Sequence, residues 1–254
     1  MAGQATIEAV GLRFRYGRTW AVDGVSLEIG AGEILCVVGP NGAGKTTLLS
    51  LLGGMVLPQQ GHVRVFSLDR WRDNFEIRKR STFLLAEPAF GESLTPYEFL
   101  RFFAQIYGMP KKIFLERAKT LAAEMNMTEH WNKPWGKLSL GMMKKTGLIA
   151  AFLPDAGLRI MDEPFAGGID PMAMERLYGW MYNAKARGET IVFSTQVLEQ
   201  AESAADRILM LENGGIRALA SPAEIIAMAG VGVNEPRALY KAFLKLADAP
   251  KETA

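Results

Sequence analysis

The sequence contains very little cysteine and no long hydrophobic run. Cys36 is the only cysteine among 254 residues, so a disulfide within the chain is excluded and a reducing compartment suits the sequence. It lies in an apolar run, residues 34–38, where a buried thiol acts as a small hydrophobic side chain. The longest apolar runs are far shorter than the roughly 20 residues that cross a bilayer, which predicts no membrane span. Residues 1–6 have no basic stretch followed by an apolar one, which predicts no signal peptide.

The chain also has little excess of positive over negative charge. The chain has 29 basic and 27 acidic residues, a formal net charge of +2. Because nucleic-acid-binding proteins usually carry a marked positive excess, we expect no nucleic-acid partner. A local basic cluster lies between residues 70 and 80, and we interpret it as a solvated face rather than as a contact with lipid headgroups or a partner. Its members are Arg70, Arg72, Arg78, Lys79 and Arg80.

Short β-branched or apolar segments alternate with helical patterns along the chain. This alternation is typical of an α/β protein with a mainly parallel core sheet. Turn-like sequences at residues 30–33 and 58–61 predict that the earliest strands form an antiparallel β subdomain. The predicted strands are residues 7–14, 25–29, 34–38, 62–65, 82–85, 158–161, 190–193 and 208–211.

A mostly helical insertion interrupts this alternation. Residues 95–98, Thr-Pro-Tyr-Glu, place proline at the first helical position and a carboxylate in the first turn, which is a typical helix start. The sequence Gly-Met-Pro at 108–110 ends that helix, and a second helix is predicted over 111–125. We therefore expect one domain over residues 1–220, with a helical subdomain at about 87–153. Residues 221–254 predict a short C-terminal tail with two helices and a frayed polar end.

A phosphate-binding loop is predicted between a buried strand and a helix. Residues 39–46, Gly-Pro-Asn-Gly-Ala-Gly-Lys-Thr, match G-x-x-x-x-G-K-[ST] in full. Glycines let the backbone fold around an anion, and the helix N-terminus adds partial positive charge. Lys45 would contact the β- and γ-phosphates, and the Thr46 hydroxyl would bind Mg²⁺. The expected nucleotide contacts are Gly39, Pro40, Asn41, Gly42, Ala43, Gly44, Lys45, Thr46 and Thr47.

Two adjacent carboxylates, Asp162 and Glu163, end the predicted strand at residues 158–161. Their side chains should diverge because successive residues of an extended chain point in opposite directions. Together with the phosphate loop, this arrangement predicts that Asp162 binds Mg²⁺ through water. Glu163 would then polarise the attacking water as general base.

A third motif, Leu-Ser-Leu-Gly-Met at residues 138–142, lies just upstream of the acidic strand. It resembles the L-S-G-G-Q signature of the ABC-type ATPases, and motif order and spacing agree with that family over about residues 5–220. The resemblance implies a P-loop ABC-type fold with ATP and Mg²⁺ as ligands. It also implies a head-to-tail dimer in which Ser139 and Gly141 donate hydrogen bonds to the γ-phosphate held by the opposite copy. Tyr16 stands where the family keeps an aromatic side chain that stacks on adenine.

Residues 92–108 are most similar to the ATP-binding subunits of ABC-2-type exporters. The resemblance implies that an integral-membrane permease subunit docks on the helical subdomain. The chain would then be cytoplasmic and peripheral on the inner face of the cell membrane. Its dimer partner could be a second copy or a different ABC ATPase. Helical spacing of the aromatic residues at 97–107 indicates mostly core, with one or two exposed rings.

The sequence departs from the family pattern at three places. Ala86 stands where a glutamine near Mg²⁺ is usual, with Glu87 as a possible substitute. The loop from Glu163 to Asp170 has one additional residue, and the signature has leucine and methionine in place of glycine and glutamine. Gln196 replaces a histidine that holds the γ-phosphate; its amide can donate a hydrogen bond but cannot become cationic.

These departures leave three functions open. With Glu163, Gln196 and Lys45 as catalytic residues, the first is an ATPase subunit of a transporter, with ATP binding retained and hydrolysis slowed. The second is a degenerate ATP-binding subunit that regulates or scaffolds, paired with a competent ATPase. The third is a soluble ABC ATPase that works without a membrane partner. The transported substrate is set by the membrane subunit and does not follow from this sequence.

Overall fold

The computed structural model describes residues 5–86 and 91–248. Its strands are β1 (Ala5–Tyr16), β2 (Thr19–Gly30), β3 (Ile34–Val38), β4 (Gln60–Val65), β5 (Leu68–Asp69), β6 (Ser81–Leu84), β7 (Leu158–Met161), β8 (Thr190–Thr195), β9 (Arg207–Glu212) and β10 (Gly215–Ala220). Its helices are α1 (Lys45–Leu52), α2 (Asn74–Lys79), α3 (Pro96–Ile106), α4 (Lys111–Glu124), α5 (Leu140–Phe152), α6 (Pro171–Ala186), α7 (Leu198–Ala204), α8 (Pro222–Met228) and α9 (Ala238–Asp248). Within these ranges, no helix is long and apolar enough to cross a membrane.

The core sheet has the strand order β10-β9-β3-β8-β7-β6. Neighbouring strands are parallel from β9 through β6, and only β10 pairs in the antiparallel direction. A second, antiparallel sheet has the order β2-β1-β4-β5. The predicted α/β class, with a mainly parallel core sheet and an antiparallel β subdomain, is therefore confirmed.

Strand β3 lies at the centre of the molecule and is buried on both faces. Leu35 and Val37 pack in a hydrophobic cluster with α1 and the antiparallel sheet. Cys36 and Val38 pack in a second cluster with helices α3 to α6. A continuous apolar sequence is what a strand covered on both faces requires. Burial raises the pKa of the Cys36 thiol well above its usual value, in keeping with its predicted role as a small hydrophobic side chain.

Helix α3 begins where the sequence predicts a helix start. The hydroxyl of Thr95 accepts from the backbone N–H of Glu98, and the Glu98 carboxylate accepts from the backbone N–H of Thr95, which forms a capping box with Pro96 at the first position. Phe99 is buried in the core, whereas Phe102 is 61% exposed. Tyr97 and Phe103 are half-buried and pack against the core, so the expectation of mostly core rings with one or two exposed is confirmed.

Several predictions of local structure are wrong or incomplete. Strand β2 begins at Thr19, six residues before its predicted start at 25, because its early part pairs with the bulged end of β1. Strand β10 is missing from the prediction, although the Asn213-Gly214 turn before it is a hairpin signal: both residues have positive φ, at 49° and 77°. The short elements α2 and β5 were not predicted either. The polar end, residues 249–254, lies outside the described residues.

The interpretation of the basic cluster as a solvated face is wrong for Arg70, which is buried. Its guanidinium donates to the carbonyls of Leu52 and Gly53 and, at 2.8 Å, to Oδ1 of Asn74. The carbonyls lie at the end of α1, where helical acceptors lack partners within the helix. Arg70 therefore closes the helix that follows the phosphate loop.

Candidate functional site

The phosphate loop joins β3 to α1 in a conformation that only glycine permits at two positions. Gly44, directly before α1, has φ +103°, and a Cβ atom there would lie 1.9 Å from the carbonyl oxygen of Ala21. A Cβ atom at Gly39 would lie 2.3 Å from the carbonyl oxygen of Leu211. The loop is thus packed against β2 and β9. The first backbone N–H groups of α1 have no preceding helical turn to supply carbonyl acceptors.

Lys45 is the first residue of α1, and its ammonium folds back over the loop. Its Nζ donates to the carbonyls of Gly39 at 2.8 Å and Pro40 at 3.3 Å. The same atom lies 3.8 Å from Oε1 of Glu163. Burial lowers the pKa of Lys45, and the nearby carboxylates of Glu163 and Asp162 oppose that shift. The ammonium is therefore held between the loop and the acidic pair.

The two carboxylates after β7 diverge, and each has different partners. The Thr46 hydroxyl donates to Oδ2 of Asp162 at 2.7 Å, and the Ser194 hydroxyl donates to Oδ1. The backbone N–H of Glu163 donates to the Ser194 oxygen at 2.9 Å. Glu163 itself has φ +45°, an uncommon conformation for a residue with a side chain. Its backbone strain coincides with the position proposed for the general base.

Ser194 was not identified from the sequence. It is buried at the end of β8 and touches both members of the acidic pair, because β8 lies beside β7 in the sheet. The sequence signal that could have found it is a hydroxyl at the end of a buried strand, two residues before Gln196.

The donor set of Thr46 and Asp162 fits Mg²⁺. Hydroxyl and carboxylate oxygens are the ligands that this ion prefers, and it usually keeps several waters and shares the phosphates of its substrate. The described residues hold no cluster of three or more histidine, cysteine or acidic side chains that could bind a metal alone. These two side chains would supply part of a site that the substrate phosphates complete.

Gln196 lies just beyond β8, on the side of Glu163. Its Nε2 donates to Oε1 of Glu163 at 3.4 Å. The hydroxyl of Thr195 accepts from the backbone N–H of Val197 at 3.1 Å and donates to Oε1 of Gln200, which fixes the turn into α7. Gln196 is therefore presented from an ordered turn.

A cleft of about 490 Å³ connects these groups. Such a volume is within the usual range for small-molecule sites. Tyr16 lines the cleft, is 61% exposed and packs edge-on against Phe14. Residues of the phosphate loop line the same cleft. The lining residues are Tyr16, Thr19, Trp20, Ala21, Asn41, Gly42, Gly44, Lys45, Thr46, Thr47, Glu163 and Gln196.

Ser139 and Gly141 are not among the residues that line this cleft. Ser139 is the N-cap of α5, and its hydroxyl oxygen accepts from the backbone N–H of Met142 at 3.2 Å. A Cβ atom at Gly141 would lie 2.6 Å from the carbonyl oxygen of Gly168, so the loop before α6 lies directly against the start of α5. Leu140 between them is exposed. Within the Leu138–Met142 motif, Ser139 and Leu140 are therefore exposed to solvent and do not line this chain's own cleft.

The lengthened loop ends at Asp170, the N-cap of α6. Its Oδ1 accepts from the backbone N–H of Ala173 at 3.0 Å, and its Oδ2 pairs with Nζ of Lys145 at 2.5 Å. The hydrogen bond from Lys145 lowers the pKa of the Asp170 carboxyl. Asp170 is thus bound to α5 of its own chain.

Ala86 lies where the described part of the loop after β6 ends, and Glu87 lies outside the described residues. The methyl group of Ala86 offers no polar atom, but its carbonyl oxygen accepts from Nζ of Lys144 at 2.8 Å. Lys144 was not singled out from the sequence, where it is the first of two consecutive lysines in a mostly apolar helix.

Comparison with known proteins identifies relatives of this chain. Residues 22–166 match the family model described as ABC transporter. The ABC-type transporter ATP-binding protein EcsA of Bacillus subtilis (strain 168) is 31% identical over 210 residues, which cover 83% of this chain and 85% of that protein. The Nod factor export ATP-binding protein I of Ralstonia nicotianae (strain ATCC BAA-1114 / GMI1000) is 30% identical over 216 residues, 85% of this chain and 67% of that protein.

Solved structures show the same fold. A structure described as the ATP binding subunit of an ABC transporter matches with a TM-score of 0.88 and 28% identity, over 95% of this chain and 99% of that chain. A dimeric ATP-binding cassette in a post-hydrolysis state, bound to ADP and Pi, matches with a TM-score of 0.77 and 20% identity, over 85% of this chain and 98% of that chain.

Proposed function

Since the chain belongs to the ABC transporter family and is an ABC-type ATPase, we propose that it hydrolyses ATP to drive a membrane-embedded exporter. The observation that carries this proposal is the convergence of Lys45, Glu163 and Gln196 beside the Thr46–Asp162 pair in one cleft. A nucleotide would extend from the ring of Tyr16 to the phosphate loop.

Each side chain has a distinct task in this proposal. Lys45 exchanges the loop carbonyls for the β- and γ-phosphates, and the backbone N–H groups of residues 39–47, apart from Pro40, which has none, surround them. Thr46 and, through water, Asp162 would hold Mg²⁺, which would supply positive charge next to the phosphates. Glu163 polarises the attacking water, and Gln196 donates a hydrogen bond to the γ-phosphate. Because glutamine stays neutral, we propose that turnover is slower than a histidine would give.

We also propose that a second ABC ATPase, identical or different, completes the site. The Ser139 oxygen already accepts from its own helix, which leaves its hydroxyl proton to donate to a phosphate on the opposing subunit. The positive end of α5 and the backbone N–H of Gly141 favour the same contact. The dimeric cassette of the same fold supports this arrangement.

The membrane partner in this proposal is an integral-membrane permease subunit that docks on the helical subdomain at about 87–153. Exposed apolar side chains on α3, Phe102 and Ile106, support such a contact. The chain would then sit peripherally on the inner face of the cell membrane, with residues 221–254 as a tail on the nucleotide-binding domain at 1–220. Export is supported by the Nod factor export relative and by the likeness of residues 92–108 to exporter subunits.

A second candidate function is a weakly hydrolysing regulatory subunit paired with a competent ATPase. The absence of a polar side chain at Ala86 and the neutral amide of Gln196 favour it. Affinity purification from membranes, followed by identification of the bound chains and measurement of ATPase turnover, separates the two. A permease with measurable turnover supports the first function. A permease together with a second ABC ATPase, and turnover equal to that of Glu163→Gln, supports the regulatory one. Capture of a soluble RNA or DNA complex contradicts both.

A further inference from the structure

Lys144 carries a charge in the interior of the protein. It lies in the second turn of α5, just after the Leu138–Met142 motif, and it is 2% exposed. An ammonium group that is taken out of water is strongly destabilising unless its protons are hydrogen-bonded. The hydrogen-bond acceptors of Lys144 therefore identify the segments that this buried ammonium holds together.

The head of Lys144 joins two neighbouring strand ends. Its Nζ donates to the carbonyl oxygens of Ala86 at 2.8 Å, Asp162 at 3.2 Å and Leu85 at 3.5 Å. The first and third acceptors belong to the loop that follows β6, and the second belongs to the acidic pair that follows β7. The two segments are also tied by the backbone N–H of Asp162, which donates to the carbonyl of Leu84 at 2.8 Å.

The stem of Lys144 touches the loop on the other side of Glu163. A Cβ atom built on Gly167, which has φ +87°, would lie 3.7 to 3.9 Å from Cβ, Cγ and Cδ of Lys144. The backbone of the lengthened loop therefore passes directly against the aliphatic part of the side chain. From its place in α5, Lys144 thus contacts the loop after β6, the acidic pair and the loop before α6.

We propose that Lys144 is a positioning residue that couples the backbone of Leu85 and Ala86 to the carboxylates of Asp162 and Glu163. This inference rests on the proposed hydrolysis by the same site. Ala86 has no side chain that could reach the cleft, so the position of its loop is transmitted through its carbonyl oxygen. The Asp162 carbonyl is held by Lys144, while the Asp162 carboxylate is held by Thr46 and Ser194. A shift of the ammonium therefore turns the peptide from which Glu163 projects.

The first test compares Lys144→Met, which keeps the length of the stem and removes the three donors, with Lys144→Arg, which keeps a cation with several donors. Lys119→Met, an exposed lysine on α4, is the matched control. We expect Lys144→Met to lower kcat by about 10–100-fold, as for partners that orient a reactive group, with the KM for ATP within about threefold of wild type. Lys144→Arg should recover most of kcat, and Lys119→Met should match wild type.

Hydrogen exchange supplies a readout that does not need hydrolysis. In wild type, addition of ATP should change the rate of backbone amide hydrogen exchange in both peptide 81–86 and peptide 158–163. In Lys144→Met, the change at 158–163 should persist and the change at 81–86 should be lost. The inference is overturned if the Met variant keeps the turnover of the Lys119→Met control, or if both peptides still respond together.

The outcomes also separate this inference from the proposed function. If wild type shows no hydrolysis, the proposed function fails and the exchange data alone decide the role of Lys144. If Lys144→Met does not fold, Lys144→Arg decides: kcat near wild type with coupled exchange supports the inference. A folded Arg variant in which ATP no longer alters peptide 81–86 contradicts it.

Discussion

The side-chain amide of Gln196 donates to the carboxylate of Glu163 across 3.4 Å. The ammonium of Lys45 lies 3.8 Å from the same Oε1 atom. The carboxylate proposed as general base is thus held between a neutral donor and a cation. Since Lys45 is the cationic partner of this carboxylate, the neutral amide orients it without adding further charge.

The first prediction concerns this carboxylate. Glu163→Gln keeps the shape of the side chain and removes its basicity, so ATP should still bind while turnover falls about 10²–10³-fold, a scale typical for the loss of one essential polar group. Equilibrium binding of ATP and steady-state release of phosphate measure the two quantities. Glu175→Gln, an exposed glutamate on α6, is the control and should match wild type. Equal turnover in wild type and Glu163→Gln would show that the site does not hydrolyse ATP.

The second prediction concerns the neutral side chain of Gln196. Gln196→His should raise turnover several-fold and add a titration near pH 6.5, the ordinary pKa of imidazole, that wild type lacks at this position. Below that pH the imidazolium adds positive charge beside the γ-phosphate, so the ratio of variant to wild-type kcat should rise as the pH falls from about 8 to 6. The ratio cancels titrations that both proteins share. A ratio that stays flat across this range argues against a γ-phosphate contact from position 196.

The sequence predicts the site best where its residues are neighbours along the chain. The loop at 39–46 and the Asp162–Glu163 pair are read from local spacing, because strand, glycine-rich turn and helix form one continuous unit. The contact between Gln196 and Glu163 spans 33 positions and depends on the adjacency of β7 and β8, and the role of Ser194 depends on it equally. The hydrophobic periodicity of a sequence identifies strands, but it does not show which strands are neighbours in the folded sheet.

Burial of charge was likewise hidden from the sequence. Arg70 and Lys144 each have a second basic residue nearby in the sequence, yet both fold inward onto backbone carbonyls. Their acceptors come from elements distant along the chain, the end of α1 for Arg70 and the ends of β6 and β7 for Lys144. Pattern alone cannot tell such a residue from a solvated one, because the difference is made by tertiary packing.

The third prediction tests the packing of the phosphate loop. Gly44→Ala should abolish ATP binding and lower the thermal midpoint, because its Cβ atom would meet the Ala21 carbonyl at 1.9 Å in a conformation with φ +103°. Gly188→Ala is the matched control: Gly188 has φ +84° and no atom within 4 Å of the added Cβ. The control therefore carries only the backbone strain, about 1–2 kcal/mol. Scanning calorimetry and nucleotide titration of both variants decide. An equal loss of stability in the two variants would contradict the steric argument.

The fourth prediction concerns the buried ion pair between Arg159, in strand β7, and Glu189. Nε of Arg159 donates to Oε2 of Glu189 at 2.7 Å, and its Nη2 donates to the carbonyl of Pro154 at 3.1 Å. Arg159 is 1% exposed; burial lowers its pKa, and Glu189 opposes that shift. Arg159→Met would leave Glu189 without its buried partner, and we expect a loss of about 3–5 kcal/mol in the free energy of unfolding, as for broken buried pairs.

The control for this pair is built into the same cluster. Arg187 contacts the other oxygen of Glu189 at 2.8 Å but is largely exposed, so Arg187→Met should cost no more than about 1 kcal/mol. The double variant Arg159→Met/Glu189→Gln removes the stranded charge, and it should therefore be more stable than Arg159→Met alone. Urea unfolding of the three variants measures these differences. If Arg159→Met and Arg187→Met destabilise equally, burial does not set the strength of this contact, and the strand beneath the acidic pair is held by packing alone.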